Sequence, residues 1–243
     1  MNYHWNWSIF WEASPEGAGT YLDTLLDGLL WTIVTSLSAW ILALVAGSIV
    51  GVVRTLPSKA AHWAGDAYVE LFRNIPLLVQ LFLWFFVVPD LLPESWGLWV
   101  KGLRNGPFYT TVLGVGLYMS ARVATQITAG IRALPRGQLM AATAIGLTRL
   151  QAYRYVLLPI AVRIVLPPLT SDFLNTIKNT AVALTIGLVE LTARARAMQE
   201  FSFQVFEPFT AAVVMYLALN AVVTIAMRLL ERRLAIPGFN TGR

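Results

Sequence analysis

The sequence predicts an all-α integral membrane protein with five transmembrane helices, on three observations. Of 243 residues 57% are hydrophobic and only 13% charged, about half the charged share of an ordinary soluble domain. Mean hydropathy over the chain is +0.62. The run 28–53 holds no charged residue, and about 20 apolar residues at 1.5 Å rise are enough to cross a bilayer.

The elements follow in order. Residues 1–23 form an extracytoplasmic segment. Trp5, Trp7 and Trp11 suit a membrane–water interface, with a loose aromatic tail as the alternative. MNYHWNWSIFWE lacks the basic start and short apolar core of a cleaved signal. A membrane domain over 24–231 then carries spans at 28–53, 67–88, 108–131, 155–189 and 209–230. Span two opens with Glu70 and Arg73, three apart and able to pair on one helical face. Span four is expected to be interrupted, because TSDFLNTIKNT follows Pro167 and Pro168 between apolar halves. Residues 232–243 are left as a cytoplasmic tail.

Loop charges orient these spans. Eleven basic residues follow spans one, three and five, against four in the opposite loops, so the positive-inside rule places the N-terminus outside and the C-terminus in the cytoplasm. The net charge of +5 and pI near 9.7 reflect that asymmetry rather than a nucleic-acid surface. With no cysteine, disulfides and thiolate metal sites are excluded. No GxxxxGK[ST] loop, HExxH or GxSxG occurs, and His4 and His62 stand far apart. No catalytic or metal-ligating residue is therefore expected, and the chain does not itself bind ATP in the P-loop manner.

The longest non-membrane stretch lies between spans three and four. Pro135 suits a first helical turn, residues 136–145 read as a short helix, and Gly146 can adopt the left-handed conformation that ends one. Thr148 and Gln151 have capping-box spacing for a second helix. Leu139, Ala142 and Ile145 fall on one stripe of the first. Such an elbow could lie on lipid or dock against another protein.

GQLMAATAIGLTRLQAYRYVLLP resembles the EAA loop of permease subunits of ATP-driven importers. Ala141, Ala142, Gly146 and Pro159 match that pattern, and Met140 stands where the glutamate is usual. YVELFRNIPLLVQLFLWFFVVPDLLPE, LPRGQ and PPLTSDFLNTIKNTAVALTIGL resemble the polar amino-acid branch of the type I ABC importers. The resemblance runs over about 24–238 and is strongest with glutamate/aspartate permeases, including the opening WNWSIFWE. It implies a type I importer transmembrane domain in the bacterial inner membrane, with a coupling helix formed by Leu139, Met140, Ala141, Ala142, Ile145, Gly146, Leu147 and Pro159. The implied partners are a cytoplasmic ABC ATPase dimer, which binds ATP and Mg, a second permease subunit (a heterodimer in preference to a homodimer), an extracytoplasmic solute-binding protein, membrane lipid, and a polar amino acid such as glutamate or aspartate. No nucleic-acid partner is implied.

Charges inside a bilayer cost about 2.5–3.5 kcal/mol on insertion scales, so those within spans need a reason. Arg122 and Thr125 in span three, with Asp172, Asn175, Lys178 and Asn179 in span four, are candidates for a substrate path. Around Arg122 the neighbouring sequence is purely positive, and a guanidinium fork fits a carboxylate. A structural arginine bonded to a neighbouring helix is the other reading. Against the whole assignment stands a self-sufficient ion-coupled amino-acid carrier, which would need an internal repeat and intramembrane ion ligands.

Overall fold

A computed structural model describes residues 3–17 and 19–234. Among the described residues nine helices follow a short 3₁₀ segment, Trp7–Trp11. They are α1 (Tyr21–Val53), α2 (Lys59–Asn74), α3 (Leu77–Leu91), α4 (Glu94–Lys101), α5 (Gly106–Arg132), α6 (Arg136–Ala144), α7 (Arg149–Ile186), α8 (Leu191–Ser202) and α9 (Phe206–Leu234). Among the described residues there is no strand, only an isolated bridge between Ala13 and Thr20.

Helices α1, α7 and α9 are long and apolar enough to cross a membrane, and α2 with α3 makes a fourth when that broken pair is counted as one span. Helix α5, the expected third span, has 27 residues and so the length to cross at 1.5 Å per residue. Thr111, Ser120, Arg122, Gln126 and Thr128 dilute its hydropathy.

Span two is not one helix. Proline lacks the N–H that a helix interior needs and drives the residue before it out of the α region; Ile75, before Pro76, is extended at φ −90°, ψ 128°. Span four departs from expectation in the other direction. Pro167 and Pro168 lie inside a helix that continues to Asn179, so TSDFLNTIKNT is helical. The change comes later, where Thr180–Ile186 tightens to 3₁₀ and Gly187 closes it at φ +89°. Helix α8 falls in what the charge pattern treated as a plain loop. Of the expected tail, residues 235–243 lie outside the described residues.

Chain contacts define two compact units. The first comprises Met1–Ala39, Pro76–Val115 and Thr176–Val222. Its core gathers Ile9, Tyr21, Leu25, Leu191, Ala195 and Met198. Buried Glu190 caps α8, accepting from the backbone N–H of Thr192 at 3.0 Å and Ala193 at 2.9 Å and from the Tyr216 hydroxyl at 2.7 Å. Arg194 on α8 ties back to Asp27 on α1 at 2.8 Å. In the same unit Trp5, Trp7 and Trp11 are all exposed, and the Trp5 and Trp7 rings stack.

The second unit comprises Trp40–Ile75, Gly116–Asn175 and Val223–Arg243. Here α1 and α5 approach closely through Gly47 and Gly51. A Cβ at Gly47 would come within 2.6 Å of the Ser120 carbonyl, and one at Gly51 within 2.9 Å of the Ala124 carbonyl. Small residues four apart let helix backbones meet without a driving force from water. Buried Val69, Ala121 and Ala124 pack beside them.

Candidate functional site

The loop after α5 folds as an elbow within the second unit. Pro135 sits just outside α6 as its N-cap, at φ −56°, ψ 131°, rather than in its first turn. Helix α6 ends one residue earlier than expected, and Gly146 takes φ +87°. The Gly146 N–H donates to the Thr143 carbonyl at 3.0 Å and the Leu147 N–H to Ala142 at 3.1 Å, which closes the helix in a Schellman-type turn. The capping box that opens α7 is present: the Thr148 N–H donates to Gln151 Oε1 at 2.9 Å, and the Gln151 N–H to Thr148 Oγ1 at 3.4 Å.

Exposure on the elbow departs from the expected stripe. Ala142 is buried and Leu139 half-buried, so only Ile145 of that trio faces outward. The apolar surface offered to a partner is instead Met140, Ile145 and Leu150, exposed by 70%, 78% and 78%. Ala141 and Pro159 are exposed and Leu147 half-buried. The period of the sequence identified the stripe but not which side of a short helix the rest of the unit would cover.

Both ends of this loop are bound to the end of α1. The final carbonyls of a helix have no partner within it, and here each finds one. Val50 accepts from the Arg54 N–H at 3.0 Å, Val52 from Thr55 at 2.9 Å, and Val53 from Leu56 at 3.2 Å. The Thr128 hydroxyl is shared between the Gly51 carbonyl at 3.1 Å and the Ala124 carbonyl of its own helix at 2.8 Å. Arg54 accepts from Arg132 Nη2 at 3.2 Å, and Thr55 from the Tyr153 hydroxyl at 3.1 Å. Arg132 is the last residue of α5, and buried Tyr153 opens a π turn, Tyr153–Leu157, inside α7. Arg54 is itself held by Asp66 of α2 at 2.7 Å.

That Arg54–Asp66 pair takes the place of the one expected on this segment. Glu70 and Arg73 are both exposed, and no ion pair joins them among the described residues. An exposed pair three apart gains only a few tenths of a kcal/mol, too little to hold two long side chains in one geometry.

Within the second unit two charges that fall in expected spans pair. Arg122 Nε donates to Asp172 Oδ1 at 2.8 Å, linking α5 to α7. Asp172 is buried, whereas the Arg122 side chain remains 46% exposed. The purely positive surroundings expected for Arg122 are thus corrected, because sequence neighbours do not reveal a carboxylate fifty residues away. The arrangement matches the structural reading of Arg122 while leaving the outer face of its guanidinium accessible. Thr125 is half-buried and bonds its hydroxyl to the Ala121 carbonyl at 2.9 Å; Asn175 is half-buried. Lys178, exposed, and Asn179, half-buried, belong to the first unit.

The chain resembles known proteins over nearly its whole length. Residues 20–236 match the family described as binding-protein-dependent transport system inner membrane component. It is 45% identical to the glutamate/aspartate import permease protein GltJ of Escherichia coli (strain K12), covering 100% of both chains. It is 34% identical to the probable glutamine ABC transporter permease protein GlnM of Bacillus subtilis (strain 168), over 86% of this chain and 92% of that one. A crystal structure of an amino acid ABC transporter with histidines superposes with a TM-score of 0.73 at 30% identity, covering 88% of this chain and 95% of that one. An inward-facing structure of the MetNI methionine ABC transporter shares the fold, with a TM-score of 0.74 at 18% identity, over 93% of this chain and 100% of that one.

Proposed function

From the premise that the chain belongs to the family of binding-protein-dependent transport system inner membrane components, we propose that it carries glutamate and aspartate across a bacterial inner membrane. It is the permease subunit of an amino-acid ABC importer. The observation that carries the acidic substrate class is the 45% identity over full length to a glutamate/aspartate import permease. In this reading the chain performs no chemistry. ATP and Mg are bound by a separate ATPase dimer in the cytoplasm, a second permease subunit completes the pathway, and an extracytoplasmic binding protein delivers substrate. The N-terminus is outside and the C-terminus cytoplasmic, in keeping with the basic loops.

The elbow is the docking element. Covering a Met, Ile or Leu side chain contributes about 1.5–3 kcal/mol, whereas an exposed ion pair contributes roughly 0.2–1 kcal/mol. Met140, Ile145 and Leu150 together therefore outweigh the usual acidic anchor that Met140 replaces. Shape and apolar contact hold the ATPase.

The test is uptake into proteoliposomes holding this chain with its second permease, ATPase and binding protein. Labelled L-glutamate and L-aspartate accumulate only with internal ATP and external binding protein, and L-glutamine much less. Uptake by this chain alone, driven by an ion gradient, would replace the proposal with an ion-coupled carrier.

A further inference from the structure

The elbow's two ends are not independent. Arg132 leaves the loop's start and Tyr153 its finish, and their donors engage consecutive carbonyls, Arg54 and Thr55, in the turn just past α1. The Thr55 hydroxyl also lies 3.1 Å from the Tyr153 hydroxyl while donating to the Val52 carbonyl at 2.7 Å. Thr128 reaches Gly51 one turn earlier. We propose that the end of α1 with the turn that follows it, residues Gly51 to Thr55, is the socket that receives the motion of the coupling elbow, with Arg132 and Tyr153 as the positioning residues that transmit it.

The physical case rests on what each donor replaces. Water or a tightened last turn ordinarily satisfies the last carbonyls of a helix, and either would leave the end free of the neighbouring chain. Here the Gly51 carbonyl in the last turn, and the Arg54 and Thr55 carbonyls just past the helix, accept from side chains of α5 and α7, so a displacement of the elbow must carry the end of α1 with it or break those bonds. Tyr153 is suited to the task because it is buried and begins a π turn. That wider turn is a register defect within α7, of a kind often found at functional sites. Arg132 is exposed, so it can be altered with little effect on packing. The ion pair from Arg54 to Asp66 extends the connection to α2. Transmission into α1 and α2 through hydrogen bonds differs from the docking of the ATPase, which uses the exposed apolar side of the elbow.

This inference rests on the ATP-driven reading, and one assay separates the two. Proteoliposomes with the complete complex are scored for glutamate imported per ATP hydrolysed. If the unaltered complex shows no ATP-dependent uptake, the functional reading fails. If it does, Tyr153→Phe keeps the ring and removes only the hydroxyl, and is expected to lower import per ATP at least about threefold while hydrolysis continues. Arg132→Gln should give a smaller loss, Arg132→Lys should recover most of it by keeping a donor of similar reach, which the shorter Gln amide lacks, and the double change should exceed the product of the single ones. If Tyr153→Phe lowers the yield of assembled complex, Arg132→Gln decides. Unchanged import per ATP in Arg132→Gln, or equal losses in Arg132→Gln and Arg132→Lys, would overturn the socket.

Discussion

Replacing Gly146 tests the elbow directly. Its φ of +87° is a conformation that side chains rarely adopt, yet a Cβ built there meets nothing within 4 Å. The cost of substitution in this chain is therefore conformational and not steric. Left-handed backbone costs an ordinary residue about 1–2 kcal/mol, and a β-branched one more, toward about 3 kcal/mol for a strained non-glycine site. Since 1.4 kcal/mol is tenfold in an equilibrium, Gly146→Val should shift the elbow's local equilibrium by about a hundredfold. Assembly should survive, because the cores of both units lie elsewhere. Import per ATP should then fall in the order Gly, Asn, Ala, Val, since asparagine tolerates the left-handed region better than alanine. The order itself is the check. If alanine couples better than the larger asparagine, the glycine serves close approach of a docked partner and the backbone argument is wrong. If valine couples normally, the elbow conformation plays no part in transport.

Two further outcomes follow from buried geometry. Arg122→Gln leaves the Asp172 carboxylate without its guanidinium; removing one partner of a buried pair costs about 3–5 kcal/mol, reduced here toward 2 by the half-exposed arginine, and Asp172→Asn in the same chain should recover part of it, as thermal unfolding of the purified complex would read; no loss on Arg122→Gln would show the pair to be incidental. Gly47→Leu would drive its Cβ against the backbone carbonyl of Ser120, which cannot yield as a flexible side chain would, so assembled complex should drop sharply, whereas Leu44→Ala on the same helix should be tolerated; normal assembly of Gly47→Leu would refute the close contact of α1 with α5.

What could be read from the sequence was what the backbone decides locally. Gly146 and the pair Thr148 and Gln151 act within four residues of themselves, so the glycine turn and the capping box followed from residue type and spacing. The break at Pro76 had the same local cause, but the largely apolar run after it, residues 77–88, outweighed Glu70, Arg73 and Asn74 ahead of it in placing one span there. At Pro167 and Pro168 the opposite happened: the local rule favoured a break, and packing kept the helix whole, with buried Val165, Leu166, Leu169 and Phe173 on both sides of the prolines. The spacing of Gly47 and Gly51 carries a signal for helix contact that hydropathy passes over, and the structure places the α1–α5 contact there.

The parts that could not be read are those that depend on which distant groups meet. Nothing in the neighbourhood of Arg122 announces Asp172, and nothing near Thr55 announces Tyr153, ninety-eight positions on. Yet these are the interactions that turn separate spans into a transmitting device. An exposed elbow supplies a handle, but a handle moves nothing unless its ends are fixed to something stiff. Helix α1 is 33 residues long, and it is held at and just past its last turn, where a helix has carbonyls to spare. The local code therefore makes the lever legible, while its point of attachment is set by hydrogen-bond demand at a helix end, which only the folded chain satisfies.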